Sequence, residues 1–89
     1  MILDVGGKIF KTSRDTLLSV PGSLLYKIFE DENTDELKQP DGSVFIDRPH
    51  THFMYILNYL RDPNEKLVIP SKKHQREQLK IEAQFYALD

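Results

Sequence analysis

The sequence predicts an α/β (α+β) fold, a small mixed sheet of about three to four strands with flanking short helices. Three observations carry this prediction. Two β-rich runs flank a Gly6-Gly7 pair near the start. Phe53, Ile56, Leu57 and Leu60 follow the i, i+3, i+4, i+7 rule without a miss. The apolar triplets Val44-Phe45-Ile46 and Leu67-Val68-Ile69 are bounded by turn residues and separated by helical stretches.

Ile2 to Val5 and Lys8 to Thr12 read as a hairpin, because both central turn positions favour residues that tolerate positive φ. Ser13 is placed to cap a short helix over Arg14 to Ser19, with Asp15 near the positive end of its dipole. Pro21-Gly22 stops it. A second helix is expected from Ser23 to about Asp31, with Leu24, Leu25, Ile28 and Phe29 on one face. Glu32 to Gln39 has little apolar content and reads as a mobile acidic loop, closed by a turn at Pro40-Asp41-Gly42. Ser43 to Asp47 reads as a strand buried on both faces. Pro49 fits the first turn of the next helix, and Asp62-Pro63-Asn64 ends it. Leu67-Val68-Ile69 reads as a short strand. Ser71 is placed to cap a last helix, Lys72 to about Ala87. That helix carries two apolar stripes: Leu79, Ala83 and Tyr86 on one, Ile81, Phe85 and Leu88 on the other. One core contact needs only the first.

The 89 residues predict a single domain over 1–89. A chain of this length buries only roughly 60–65% of its unfolded surface. Disulfides, metal or association are the usual remedies, and the chain has no cysteine. Its 3 histidines make a poor structural metal site. Self-association is the open route, and no cofactor or metal is expected. Twelve basic against 14 acidic residues argue against nucleic-acid binding, and no apolar run is long enough to span a membrane. The start Met1-Ile2-Leu3-Asp4-Val5 lacks the pattern of a signal peptide, so a cytoplasmic location is expected, with the nucleus as the alternative. A strand beginning at residue 2 suggests a domain excised from a longer chain.

Few residues suggest chemistry. Gly6-Gly7-Lys8 lacks the spacing of a phosphate loop. Glu30-Asp31-Glu32 and Asp35-Glu36 lie in a polar segment with nothing apolar to raise a carboxyl pKa, so no enzyme is expected. His50 and His52, two apart on a helix, would point to different faces, which disfavours a metal pair. Lys72-Lys73-His74-Gln75-Arg76 reads as a solvated face, with an acidic partner as the alternative. Asp47 and Arg48 leave the end of a buried strand, as a local turn-capping pair or as charges completed by a neighbouring subunit. Arg14 poses the same choice, and Asp4 stands in a strand where Asp is disfavoured, which favours a polar contact. Met54 and Tyr55 lie off the Phe53–Leu57 stripe. Met54 is the stronger candidate for exposed partner docking, and Tyr59 for the core band.

The run from Leu3 to Leu17, with its Val-Gly-Gly turn and Thr-x-Arg-x-Thr-Leu, resembles the opening of BTB/POZ domains of the potassium-channel-tetramerisation (KCTD-like) type. Pro21-Gly22-Ser23-Leu24-Leu25 is similar to that family's Pro-x-Ser-x-Leu helix start. Phe45-Ile46-Asp47-Arg48, Phe53 and Ile56-Leu57-Asn58-Tyr59-Leu60-Arg61 resemble its central signature, and Glu82-Ala83-Gln84-Phe85-Tyr86 its closing one. The resemblance spans nearly the whole chain in order. It implies a BTB/POZ fold that forms homo-oligomers, tetramers or pentamers, with Asp4, Arg14, Asp47 and Arg48 at the interface and Met54 and Tyr55 available to a partner. It further implies an adaptor that docks a cullin-type ubiquitin ligase scaffold. The alternative is the cytoplasmic tetramerisation domain of a voltage-gated potassium channel. Some of those channel domains bind zinc between subunits through one His and three Cys, a set this cysteine-free chain lacks. Two departures bear on ring size: Asp62-Pro63-Asn64-Glu65-Lys66 is longer than the usual turn, and Pro49-His50 replaces small polar residues.

Overall fold

The turn at Gly6-Gly7 organises the amino-terminal half. Both glycines have positive φ, 56° and 97°, and the Asp4 carboxylate accepts the Gly7 N–H at 2.9 Å. This closes an antiparallel hairpin of β1 (Ile2–Val5) and β2 (Lys8–Lys11), with Leu3 opposite Phe10 and Asp4 opposite Ile9. The structure, a computed structural model, describes residues 1–31, 34–65 and 68–88.

Two short helices follow, α1 (Arg14–Leu17) and α2 (Leu24–Phe29). Both are capped: Ser13, as expected, accepts the Thr16 N–H at 3.1 Å, and Ser23 accepts the Tyr26 N–H at 3.3 Å. They carry the chain across to β3 (Val44–Ile46), which pairs in parallel with β1 and gives the sheet order β2-β1-β3. A parallel partner demands such a crossover. The expected acidic loop has more structure than its composition suggests. Asp35–Leu37 forms a 3-10 turn, Lys38 bridges Val44, and the Gln39 amide donates to Asp4 and Ser43 at 3.2 and 2.9 Å. Glu32 and Asn33, within that expected loop, lie outside the described residues.

The reading of β3 as buried on both faces is corrected: Val44 and Ile46 are buried, whereas Phe45 is 48% exposed. Three apolar residues in a row do not say which faces are covered, and about half of Phe45 is left open. α3 (Phe53–Arg61) starts later than Pro49, after a turn in which the His50 carbonyl accepts the Phe53 N–H. Its stripe of Phe53, Ile56, Leu57 and Leu60 is buried, and it stops before Asp62 as expected. Of the expected strand at 67–69, Leu67 lies outside the described residues. Val68 and Ile69 are exposed and belong to no strand.

α4 (Lys73–Phe85) is preceded by Lys72, not Ser71, at its cap position. The Ser71 carbonyl accepts from the Arg76 side chain. Leu79 and Tyr86 face the core, with Ala83 partly buried beside them. Phe10, Phe53 and Tyr86 form a chain of ring contacts at 4.9 and 5.5 Å, so the inner face of the sheet packs through α3 onto the end of α4. The Tyr86 carbonyl accepts the Leu24 N–H at 2.9 Å, tying α4 to the start of α2. Beyond Tyr86, Ala87 has φ 55°, and Leu88 N–H reaches the Ala83 carbonyl at 2.9 Å, a Schellman closure. No helix among the described residues is long and apolar enough to cross a membrane.

Candidate protein–protein interface

Strand alternation sends Leu3, Val5, Phe10, Val44 and Ile46 inward and leaves the other face open. On that outer face the register aligns Ile9, Asp4 and Phe45 in one row across β2, β1 and β3. Ile9 and Phe45 are about half exposed, and Asp4 lies between them. The Asp4 carboxylate is held by the Gly7 N–H and the Gln39 amide. The polar contact expected for Asp4 is therefore made within the chain, and its carboxylate sits fixed at the centre of an apolar row.

Arg14 and Arg48 are also engaged within the chain. Arg14 donates to the carbonyls of Phe29 and Glu30 at 2.9 and 3.1 Å, closing the end of α2 with a cation where the helix dipole is negative. Arg48 makes a two-pronged pair with Glu82, Nε to Oε1 at 3.0 Å and Nη2 to Oε2 at 2.5 Å. Its guanidinium lies 4.5 Å over the Phe85 ring. The Glu82 side chain is 8% exposed and that of Arg48 27% exposed. The hydrogen bond to Glu82 pushes the Arg48 pKa further up. The Tyr86 phenol is also pushed up, first by burial and then by the Glu82 charge, and its hydroxyl has no hydrogen-bond partner among the described residues. Asp47, next to Arg48, is exposed. The two halves of the Asp47-Arg48 pair thus face different surroundings.

A second surface lies on the helices. Met54 is exposed on α3, whereas Tyr55 and Tyr59 pack partly against the core. The second stripe of α4 leaves Ile81 and Phe85 exposed, and Leu88 returns partly to the core. A cleft of about 210 Å³ opens beside it, lined by Pro49, Thr51, His52, Gln78, Ile81 and Glu82. His52 is a buried residue at the start of α3 and not half of a helical pair with exposed His50. The basic run at 72–76 is mostly exposed, with Arg76 turned back onto the Pro70 and Ser71 carbonyls.

Sequence reasoning missed Glu82 and His52 as individuals. Glu82 had a readable signal: it follows Leu79 by three and precedes Tyr86 by four, so it stands on the inward stripe of α4. An acid on a core face demands a cation. His52 had no such signal, since the turn that buries it is not periodic. Among the described residues no three His, Asp or Glu side chains gather as a metal site.

An open sheet face and a helix with a bare apolar stripe define a module that meets other proteins. The comparisons agree. The BTB/POZ domain family model matches residues 1–89. The chain is 41% identical over 87 residues to the potassium channel regulatory protein of Mus musculus, covering 98% of this chain and 32% of that one. It is 44% identical over 85 residues to the BTB/POZ domain-containing protein KCTD5 of Homo sapiens, covering 94% of this chain and 35% of that one. The chain belongs to the BTB/POZ domain family, a family of self-associating protein-interaction modules, and its relatives include KCTD proteins. It spans about a third of the length of the curated relatives it matches.

Proposed function

We propose that this chain is a homo-oligomerisation domain that assembles a ring of about four or five copies and serves as a KCTD-like adaptor for a cullin-type ubiquitin ligase scaffold. The observation that carries self-association is the outer sheet row of Ile9, Asp4 and Phe45. Half-exposed apolar side chains around a fixed carboxylate suit an interface with an apolar centre and polar orientation. Asp47, exposed beside that row, belongs to the interface; Asp4, Arg14 and Arg48 support it from within. Met54 on α3, with Tyr55 behind it, offers the separate surface for the cullin partner. The module works in the cytoplasm.

Sedimentation equilibrium at tens of micromolar tests the assembly: a mass of several chains supports it, and a strict monomer ends it. Pulldown with a purified cullin amino-terminal region tests the adaptor role; an oligomer that retains no cullin confines the module to scaffolding. The name of the mouse relative favours one second reading, association with a potassium channel subunit. Co-assembly with a channel's cytoplasmic domain, in preference to a cullin, would establish it.

A further inference from the structure

We propose that the cleft between residues 49–52 and α4 receives the Phe45 side chain of a second copy of this chain. The proposal rests on the self-association reading above and gives it a specific contact. At about 210 Å³ the cleft falls below the roughly 300–1,000 Å³ of sites built for small-molecule ligands. It has the size for one large side chain. Pro49 and Ile81 supply apolar walls, and Thr51, Gln78 and Glu82 supply polar ones. Ile81 is 56% exposed and Phe85, one turn further along α4, is 42% exposed, so an occupant would cover apolar surface that the chain leaves bare.

His52 gives the cleft a polar group for an occupant to engage. It is only 7% exposed, it lines the cleft, and its ring has no hydrogen-bond partner among the described residues. Asp47 follows Phe45 by two residues and is exposed, placed to accept from the imidazole when Phe45 enters the cleft. Asp4 and Asp47 flank Phe45, and the cleft offers them polar partners in Thr51, His52 and Gln78.

The positions of knob and hole also require two copies. Phe45 points from the outer face of the sheet. α4 packs on the inner side, through Tyr86, Phe53 and Phe10. Phe45 therefore has no path into the cleft of its own chain. A knob and a hole on unlike surfaces form a head-to-tail contact, which closes into a ring when the rotation allows.

The test uses Phe45→Ala, which removes the knob, and Ile81→Arg, which blocks the hole. Sedimentation and circular dichroism would be measured on each and on their mixture. Both positions are exposed, so each variant is expected to keep the wild-type spectrum; Gln78→Arg replaces Ile81→Arg should the latter unfold. Each variant alone should assemble at least about thirtyfold more weakly, the loss that goes with truncating a central aromatic anchor. The equimolar mixture should form a one-to-one complex, because one partner keeps the knob and the other the hole. A wild-type oligomer matched by an equally stable Phe45→Ala oligomer would overturn this contact alone. So would a mixture that stays dissociated while wild type assembles. A monomeric wild-type chain would overturn the self-association reading, and the contact with it.

Discussion

Gly6→Ala is the substitution that most directly tests how the hairpin is fixed to the rest of the fold. Gly6 has φ 56°, a left-handed conformation that costs an L-residue roughly 1–2 kcal/mol. A β-carbon added there would lie 2.4 Å from the backbone oxygen of Arg48. That oxygen is not the tip of a flexible side chain. The Arg48 N–H donates to the Ile46 carbonyl at 2.9 Å, and the Gly6 N–H to the same carbonyl at 3.0 Å. The Arg48 guanidinium is itself held by Glu82. Relief requires moving this segment, an overpacking cost of about 1–3 kcal/mol. Alanine also restricts the unfolded chain, which offsets about 0.4–1 kcal/mol. The net loss is about 1–4.5 kcal/mol, a sizeable part of the roughly 5–15 kcal/mol that holds a typical domain together. For a domain of this size it corresponds to a fall in melting temperature of about 5–35 °C. Urea and thermal unfolding at one fixed protein concentration would measure it. Gly7→Ala is the control: its φ is 97° but nothing lies within 4 Å of the added carbon, so it incurs backbone strain without the collision. A Gly6→Ala protein within about 0.5 kcal/mol of wild type, the range of inert surface changes, would refute the reasoning.

Phe53→Ala should destabilise the chain by about 3–5 kcal/mol, because Phe53 is the ring that joins Phe10 to Tyr86; equilibrium unfolding checks it. Ala87→Gly should stabilise it by about 0.5–1 kcal/mol, since Ala87 occupies the left-handed position of the Schellman closure; a raised urea midpoint with unchanged slope is the expected result. Tyr86 makes a prediction in pH. Its phenol is held above the ordinary value, so the neutral form is favoured in the folded chain, and this stability is present below the unfolded pKa of about 10. It is lost as pH rises from there toward the folded pKa. Tyr86→Phe should therefore change stability little at pH 7, because the removed hydroxyl has no partner among the described residues, and should flatten the loss of stability above about pH 10. Unfolding curves of both proteins across alkaline pH decide it.

What the sequence makes legible is what short-range physics determines. The α3 stripe, the Ser13 cap of α1, and the Gly6-Gly7 turn each depend on residues within about seven positions of one another. All three hold in the structure. The parallel pairing of β1 with β3 joins residues about forty apart, and no local pattern encodes it. It is read from the structure alone. Phe45 illustrates the same limit on one residue: apolar identity marks a strand but does not say whether a layer will cover it. Val68-Ile69 failed for a related reason. β-branched residues favour extended backbone, yet a strand also needs an edge to pair with. Lys72 takes the cap position that Ser71 was expected to hold, with no side-chain cap bond, while the Ser71 carbonyl accepts from Arg76.

The least legible feature is also the one that organises the candidate interface. From sequence, Asp47 and Arg48 are an adjacent acid and base that invite a common role. In space they divide. Arg48 turns toward α4, where Glu82 takes its charge and Phe85 its flat face. A planar, permanently charged guanidinium suits that double contact in a way a lysine ammonium does not. Because Glu82 is buried on the core side of α4, losing Arg48 would strand an acid where solvent does not reach it well. The pair therefore pins the segment that follows β3 against α4, and the Gly6 N–H pins it from the other side through the Ile46 carbonyl. Between these two anchors the backbone of Ile46, Asp47 and Arg48 has little freedom. Phe45 and Asp47 are thereby presented outward on a rigid element, so an interface built on them loses little conformational entropy when a second copy arrives.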